Sequence, residues 1–581
     1  MNALIDKKAS SEELESTLQQ RADFIPIEDL AAETAQVGDL FGLVQKELTN
    51  RGLRTIVGPR GCGKTHLMRF AWLSCRDTPT KPFAVYASFL RYFRLEPLLS
   101  SRAGALQYFH SWVLARVLLA AVESAKAWKE FQPDWKNVFL EAGLHVDQLA
   151  ELVSRIERQT PLGEEMEVLS TALSIDKTLS ILDALRVQSG RKFTVLLMDD
   201  AALSLTPEYL VEFLDIVRSL KSITVAPKAS VYPGTTEVSP RFHEGQDTVS
   251  TSVWISVESD QYHDAMRAIA QTRVSQLSEV PADVQELLRF AAFGIPRAYL
   301  TMLEEYLRGA HRTTQQRANS VVSEHLEARR AEFRSIAKKV PKLERLIETG
   351  EKVLDGMCRE LKLQNQLIAG RDEKQWVVGV ESSELTPMVE RMFKLLVEAG
   401  LVFDEGRVKH GTPERIYQRY IPHLAVLLGV RAFSSDGKGG SIKQSLAGLA
   451  RKRTKHPLRK SLSKFAPKDE LAALQFALPR CANCHERRLA DNQKFCHHCG
   501  HQLVDASAFN ECLKTPIISV PGLTAWQKER ISKELPAMKT LGDYAAKQDP
   551  AADLLKIFGF GDKRTAKVVD VLESFMDDYL S

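Results

Sequence analysis

An α/β fold built on a parallel sheet is what this sequence predicts, on three observations. Leu53 to Val57 is a short apolar, β-branched run that leads into a glycine-rich turn and then a helical stretch to about Cys75. KFTVLLMDDAALSL, residues 192–205, reads as a second buried strand that ends in two carboxylates; Leu210, Phe213, Leu214 and Val217 follow at helical spacing. Further strand-like runs at 82–89, 222–236 and 251–257 alternate with helical segments. Such alternation favours parallel strands with ligands gathered at their carboxyl ends.

The chain has 581 residues, 44 % hydrophobic and 26 % charged, with a formal net charge of +4. That composition is ordinary for globular proteins, and the length suits roughly three to five domains. The first twenty residues lack the apolar segment of a signal peptide. The longest apolar run, SWVLARVLLAAV at 111–122, is short and broken by Arg116, so no membrane span is expected. Four of the eight cysteines cluster between 481 and 499, while Cys62, Cys75, Cys358 and Cys512 are scattered. This pattern suits a reducing, cytoplasmic setting with one metal site better than a disulfide framework.

Residues 1–23 are a polar segment. Phe24 and Ile25 are either a wall for an adenine ring or a docking contact, and a helix follows at about 38–49. Gly58, Pro59, Arg60, Gly61, Cys62, Gly63, Lys64, Thr65 and His66 then form a phosphate-binding loop, or P-loop, with every fixed position of G-x-x-x-x-G-K-[ST] filled. Glycines let the backbone curl so that successive N–H groups point at phosphate oxygens. Lys64 has the reach for the β- and γ-phosphates, and the Thr65 hydroxyl is placed to ligate Mg²⁺. Cys62 stands at a variable position and is expected to be inert. The expected ligands are therefore ATP and Mg²⁺. Residues 95–190 are almost entirely helical and read as an insertion in the sheet. At the end of the MDD strand, Asp199 would hold Mg²⁺ and Asp200 would orient or deprotonate the attacking water. Thr235 and Thr236 either read the γ-phosphate or belong to a turn set by Pro233-Gly234.

Residues 259–318 read as a small helical domain in which Gly294-Ile295-Pro296-Arg297 opens a helix. Loop, MDD strand, polar strand end and helical GxPR segment, in that order, resemble AAA+ ATPases and the related STAND ATPases, with the origin-recognition initiator group nearest. The resemblance covers about 24–310 and extends loosely to 430. It implies an ATPase core at 24–258, a lid at 259–318, and a sensor role for Arg297, which would reach the γ-phosphate from the lid; a capping arginine is the alternative. It also implies nucleotide-dependent assembly into a homo-oligomer, with Arg241 a candidate finger toward a neighbouring subunit and Arg60 and other arginines competing for that role. Two features depart from the family: the long gap between Lys64 and Asp199, and an aspartate at 200 where glutamate is commoner, which implies slow hydrolysis.

Residues 319–370 are charged and helical, a packed or bridging pair. Residues 371–433 run helix, strand, loop, strand, which resembles a winged helix facing DNA or protein. Residues 434–475 are expected as a basic flexible linker in which Arg451, Lys452, Arg453 and Lys455 either neutralise DNA phosphates or are simply solvated. Residues 476–506 form a zinc ribbon: Cys481-x₂-Cys484 and Cys496-x₂-Cys499 supply four thiolates, which complete a structural Zn²⁺ shell without His485, His497 or His498. In the small all-α segment 512–581, Gly559-Phe560-Gly561 resembles a helix–hairpin–helix turn, after a weaker copy at VPGLT (520–524). Backbone groups there, with Lys563 or Arg564, could hold a DNA phosphate; docking to a protein is the alternative. The expectation is an ATPase that couples nucleotide state to DNA binding, or a nucleotide switch that senses or scaffolds proteins, with defence against foreign DNA as one setting.

Overall fold

The computed structural model describes residues 25–101, 104–128, 132–200, 207–234, 245–309, 313–411, 414–434, 441–475, 512–547 and 549–580, with Ala22 and most of 481–501 besides. Five parallel strands form the central sheet: β1 Arg54–Val57, β2 Phe83–Ser88, β3 Thr194–Asp199, β4 Val225–Val231 and β5 Val249–Ser252, in the order β2-β3-β4-β1-β5. β3 and β4 are buried at every position, as strands covered on both faces must be. One residue of β4 is charged. Lys228, fully buried in β4, donates to the carbonyls of Asn50 and Gly52, each at 2.6 Å, and so fastens the end of helix α1 (Asp39–Thr49) to the sheet. Burial pulls its ammonium pKa down to about 7. Helix α2 (Lys64–Asp77) follows the loop after β1.

The helical insertion runs from β2 to β3 and centres on α3 (Ala105–Ala127). That helix is long and apolar enough to cross a membrane, but Phe109, Trp112, Val113, Leu114, Val117 and Leu118 are buried in the fold's core. Arg116 within it is satisfied: it donates to Ser88 O at 2.6 Å and lies 3.8 Å from Glu157. Glu157 also meets Arg91 at 3.6 Å. Arg91 and Arg94, in the 3₁₀ turn just after β2, both pair with Glu573 near the end of the chain. One hydrophobic cluster accordingly joins sheet, insertion and C-terminal helices.

Helix α4 (Pro207–Ser219) connects β3 to β4, and after β5 come three helices in the segment expected as a lid, α5 (Tyr262–Arg273), α6 (Ala282–Ala291) and α7 (Pro296–Arg308). Pro296 at the first helical position starts α7. The turn before it needs glycine: Gly294 has φ +76°, and a Cβ there would lie 2.0 Å from Ile255 O. Helices α8 (Thr314–Lys339) and α9 (Glu344–Ile368) form the expected pair. Next come β6 (Glu373–Lys374), β7 (Val378–Glu381), α10 (Pro387–Glu398) and a hairpin of β8 (Val402–His410) with β9 (Arg415–Pro422).

The flexible linker expected over 434–475 is corrected from 441 onward; 435–440 lie outside the described residues. Helix α11 (Ile442–Ala450) opens with a capping box, β10 (Lys452–Arg453) pairs with β6, and β11 (Leu458–Arg459) pairs with β7. Ile442, Leu449, Leu458, Leu462 and Phe465 are buried anchors between the basic residues. Gly356 of α9 lets this strap in closely, since a Cβ there would lie 2.0 Å from Phe465 O. The C-terminal module contains α12 (Ala525–Glu534), two short helices and α13 (Asp562–Leu580). Its two turns match in backbone: Gly522 and Gly559 have φ +87° and +86°.

Candidate functional site

The loop between β1 and α2 curls as its glycines allow. Gly61 and Gly63 have φ +90° and +86°, conformations that a side chain would strain. Gly61 also has no room for one, because a Cβ would lie 3.0 Å from Ile295 Cγ2 and 3.1 Å from Arg297 Cβ. Lys64 Nζ donates back to the carbonyls of Gly58 (2.6 Å) and Pro59 (3.3 Å) and stands 4.2 Å from the centre of the Tyr232 ring. Burial lowers its pKa, and the charges of Asp199 and Asp200 oppose that shift. Burial pushes the Cys62 thiol up to about 12, so it is a neutral core group.

Strand β3 delivers the two carboxylates one strand beyond β4, about 10 Å across the sheet from the loop strand. Asp199 is fully buried and accepts from Tyr86 OH at 2.9 Å and Ser230 Oγ at 2.6 Å. Asp200 has φ +55°, a costly conformation for aspartate. Two hydroxyls hold it there: its N–H donates to Ser230 Oγ at 3.0 Å, and Ser88 Oγ donates to Oδ2 at 3.4 Å. The polar residue of β4 beside the carboxylates is thus Ser230. Thr235, Thr236 and Arg241 lie outside the described residues, as does Phe24.

On the other side of the loop opens a cleft of about 900 Å³, at the upper end of the range for small-molecule pockets. The loop residues Arg60 to Gly63 and His66 form its floor, α1 and the segment before it one wall, and lid residues Arg273, Arg297, Leu300 and Thr301 the other. Thr34 Oγ1 lies 2.7 Å from His66 Nε2, Glu33 pairs with Arg273 at 2.7 Å, and Gln261 donates to Asp39 at 2.9 Å. Each contact ties an outer segment to the loop helix or lid. Arg297 donates its backbone N–H to Gly61 O at 3.2 Å, which docks the lid on the loop. Ile25 packs with Leu30 and Leu73 and does not line this cleft.

A roof covers the loop's outer side. A Cβ on Gly400, just after α10, would lie 3.6 Å from Pro59 Cβ, and Arg60 stands 3.9 Å from Glu332 of α8. Lys394 of α10 packs at Gly234, in the turn after Tyr232. Apart from Pro387, no residue of α10 is exposed.

The four thiols at 481, 484, 496 and 499 have all their Sγ atoms within 4.8 Å of one another, with 3.6 Å between 481 and 499 and 3.5 Å between 484 and 496. A tetrahedral zinc shell needs edges of about 3.8 Å, so the cluster fits a zinc ion. Its two halves repeat one geometry. His485 N–H donates to Cys481 O and Gly500 N–H to Cys496 O, both at 2.9 Å, and both donor residues have positive φ. His485, His497 and His498 are exposed and outside the cluster.

The remaining expected contacts are dispersed. Arg453 faces inward and pairs with Glu258 at 3.1 Å, the same carboxylate that accepts from Trp376 Nε1. Arg451 is half-buried, while Lys452 and Lys455 are exposed. In the turn at Gly559 to Gly561, Arg564 donates to Gly559 O, Lys563 is exposed, and the Phe558 N–H already donates to Glu534 Oε2 at 2.9 Å. Sequence reasoning missed Glu534, Ser230, Tyr86, Tyr232, Thr34 and Arg273. Of these only Ser230 and Tyr86 carried a signal, as hydroxyl-bearing residues near the ends of mostly apolar strands beside the motif. Neither the protein-family models nor the curated proteins compared with the chain gave a match.

Proposed function

We propose that the chain is an ATP-binding and ATP-hydrolysing enzyme of AAA+/STAND type that couples nucleotide state to DNA binding. The observation that carries this reading is the meeting of a complete phosphate loop, its Lys64, and the Asp199–Asp200 pair at one end of one parallel sheet, with a cleft large enough for a nucleoside beside them. The base and ribose would enter the cleft, and the phosphates would lie along the loop N–H groups. Lys64 would leave its own loop carbonyls for the β- and γ-phosphate oxygens. Thr65 and Asp199 would hold Mg²⁺, which would supply positive charge to offset that of the phosphates. Asp199 has lone pairs to spare beyond its two hydroxyl partners. Asp200, held off the usual backbone conformation by Ser230 and Ser88, would align the attacking water and take its proton. Arg297 would connect phosphate state to the lid.

One observation favours the second reading, a nucleotide switch that senses or scaffolds a protein. Helix α10 roofs the loop, and apart from Pro387 its residues are buried or half-buried, which leaves that helix little free face for a DNA groove in this arrangement. In either reading the four-cysteine module would hold structural zinc, and assembly would follow nucleotide state. ATP turnover titrated with single- and double-stranded DNA tests the first reading, with Lys64→Ala and Asp200→Asn as controls. A response to DNA supports it. Turnover indifferent to DNA, with no binding at low salt, would rule it out, and nucleotide-dependent assembly on size-exclusion chromatography would then favour the switch.

A further inference from the structure

The C-terminal module carries a face that neither the nucleotide site nor the cysteine cluster uses. Phe558, in the turn before α13, is 76 % exposed. Behind it Trp526 of α12 stacks on Phe560, ring centres 5.7 Å apart. Arg530 stands over both outer rings, 5.6 Å from Trp526 and 5.5 Å from Phe558, and Arg564 covers Trp526 at 5.0 Å. A single exposed phenylalanine is unremarkable on a protein surface. Here the ring adjoins a place where an anion is already gripped. The Glu534 carboxylate accepts from the Phe558 N–H at 2.9 Å and from Arg530 Nη1 at 2.6 Å. These donors hold its carboxyl below the ordinary range, so it is charged at neutral pH. Lys556, Lys563 and Lys567 are exposed on the same turn and on the helix after it.

A flat ring open on one side, guanidinium groups beside it and an anion position one residue away match the parts of one nucleotide. We propose that this face takes an unpaired nucleotide of single-stranded DNA, the base stacking on Phe558 and the phosphate displacing Glu534 from the Phe558 N–H and Arg530. The inference rests on the DNA reading above and narrows it. Bases inside a duplex have both faces covered, so a blunt duplex offers Phe558 only its two end pairs, whereas a single strand offers unpaired bases along its length. Glu534 is the resident anion that keeps the turn closed when DNA is absent, which sets it apart from an open phosphate-binding turn.

The test is fluorescence anisotropy of the full chain with a labelled single-stranded oligothymidylate and with its blunt duplex. The wild-type chain should prefer the single strand. Phe558→Ala should weaken single-strand binding about tenfold, the scale of one lost base stack. Glu534→Gln should tighten it, whereas Glu529→Gln, which removes the same charge from an exposed site on the same helix, should change it less than about twofold. Unchanged thermal midpoints would show that the variants fold. Equal binding of duplex and single strand, wild-type affinity in Phe558→Ala, or weakened binding in Glu534→Gln would each overturn the inference while leaving DNA binding itself intact. If the wild-type chain binds neither probe at low salt, the DNA reading fails and this inference falls with it.

Discussion

The two ends of the candidate nucleotide site are built in opposite ways. The phosphate end is local: the loop, Lys64 and Thr65 come from one continuous segment, and Asp199 and Asp200 from one strand end. The cleft at the other end is assembled from Thr34 to Val44 and, more than 200 residues later, from Ser252 to Gln261, α5 and α7. Its surface is apolar side chains with a few ion pairs and hydrogen bonds that tie segments together, such as Glu33 with Arg273. The first end supplies charge and donors for chemistry; the second supplies shape. Damage to the first should strike turnover, and damage to the second should strike affinity.

Lys64→Ala should show this most sharply. Removing the ammonium should cost on the order of 10²–10³ in turnover, the scale of losing one transition-state donor, and malachite-green phosphate release measures it. Asp200→Asn comes next. It keeps the shape and the Ser230 contact, so turnover should fall about a hundredfold, while ATP affinity by calorimetry stays near wild type. Equal losses in both would mean that Asp200 binds rather than catalyses. At the cleft, Thr301→Trp should raise KM about tenfold by filling space and leave kcat nearly unchanged; a fall in kcat instead would break the division of labour.

The smallest effect is in pH. Burial, with help from Arg273 and Arg69, pushes His66 down to about 4 from its ordinary 6.5. The unfolded chain therefore takes up this proton first as pH falls. The neutral His66 contribution is intact above about pH 6.5 and is lost progressively between about 6.5 and 4. His66→Gln should flatten that part of the curve of urea midpoint against pH. His325, pushed down to about 3 by burial, and His423 would leave a residual slope in the same direction.

This division also explains what the sequence made legible. A phosphate loop and a paired-thiol cluster work only with certain residue types at fixed spacing, so Gly58 to Thr65 and the four cysteines can be read directly. The cleft cannot, because Leu40, Val44 and Leu300 look like any core residues until the fold brings them together. Ser230 is a hydroxyl in a buried strand, and its hold on Asp199 and Asp200 depends on which strand lies beside β3. The strap at 441–474 misled for a different reason. Its dense lysine and arginine suggest solvent, but Ile442 and Leu449, two turns apart in α11, and Leu458 and Phe465 beyond it pin the backbone at widely spaced points.

The pairing of Glu573 with Arg91 and Arg94 bears on how the chain can be divided. By sequence the natural cut falls between the cysteine cluster and residue 512. That cut would remove the carboxylate from two guanidiniums in the turn directly after β2, whose last residue, Ser88, hydrogen-bonds Asp200. It would also strip Val568, Leu572 and Met576 from the cluster they share with the insertion. The shortened protein should precipitate or turn over ATP slowly, and residues 512–581 supplied as a separate piece should restore it. The last helix would then act as a detachable part of the sheet's own fold.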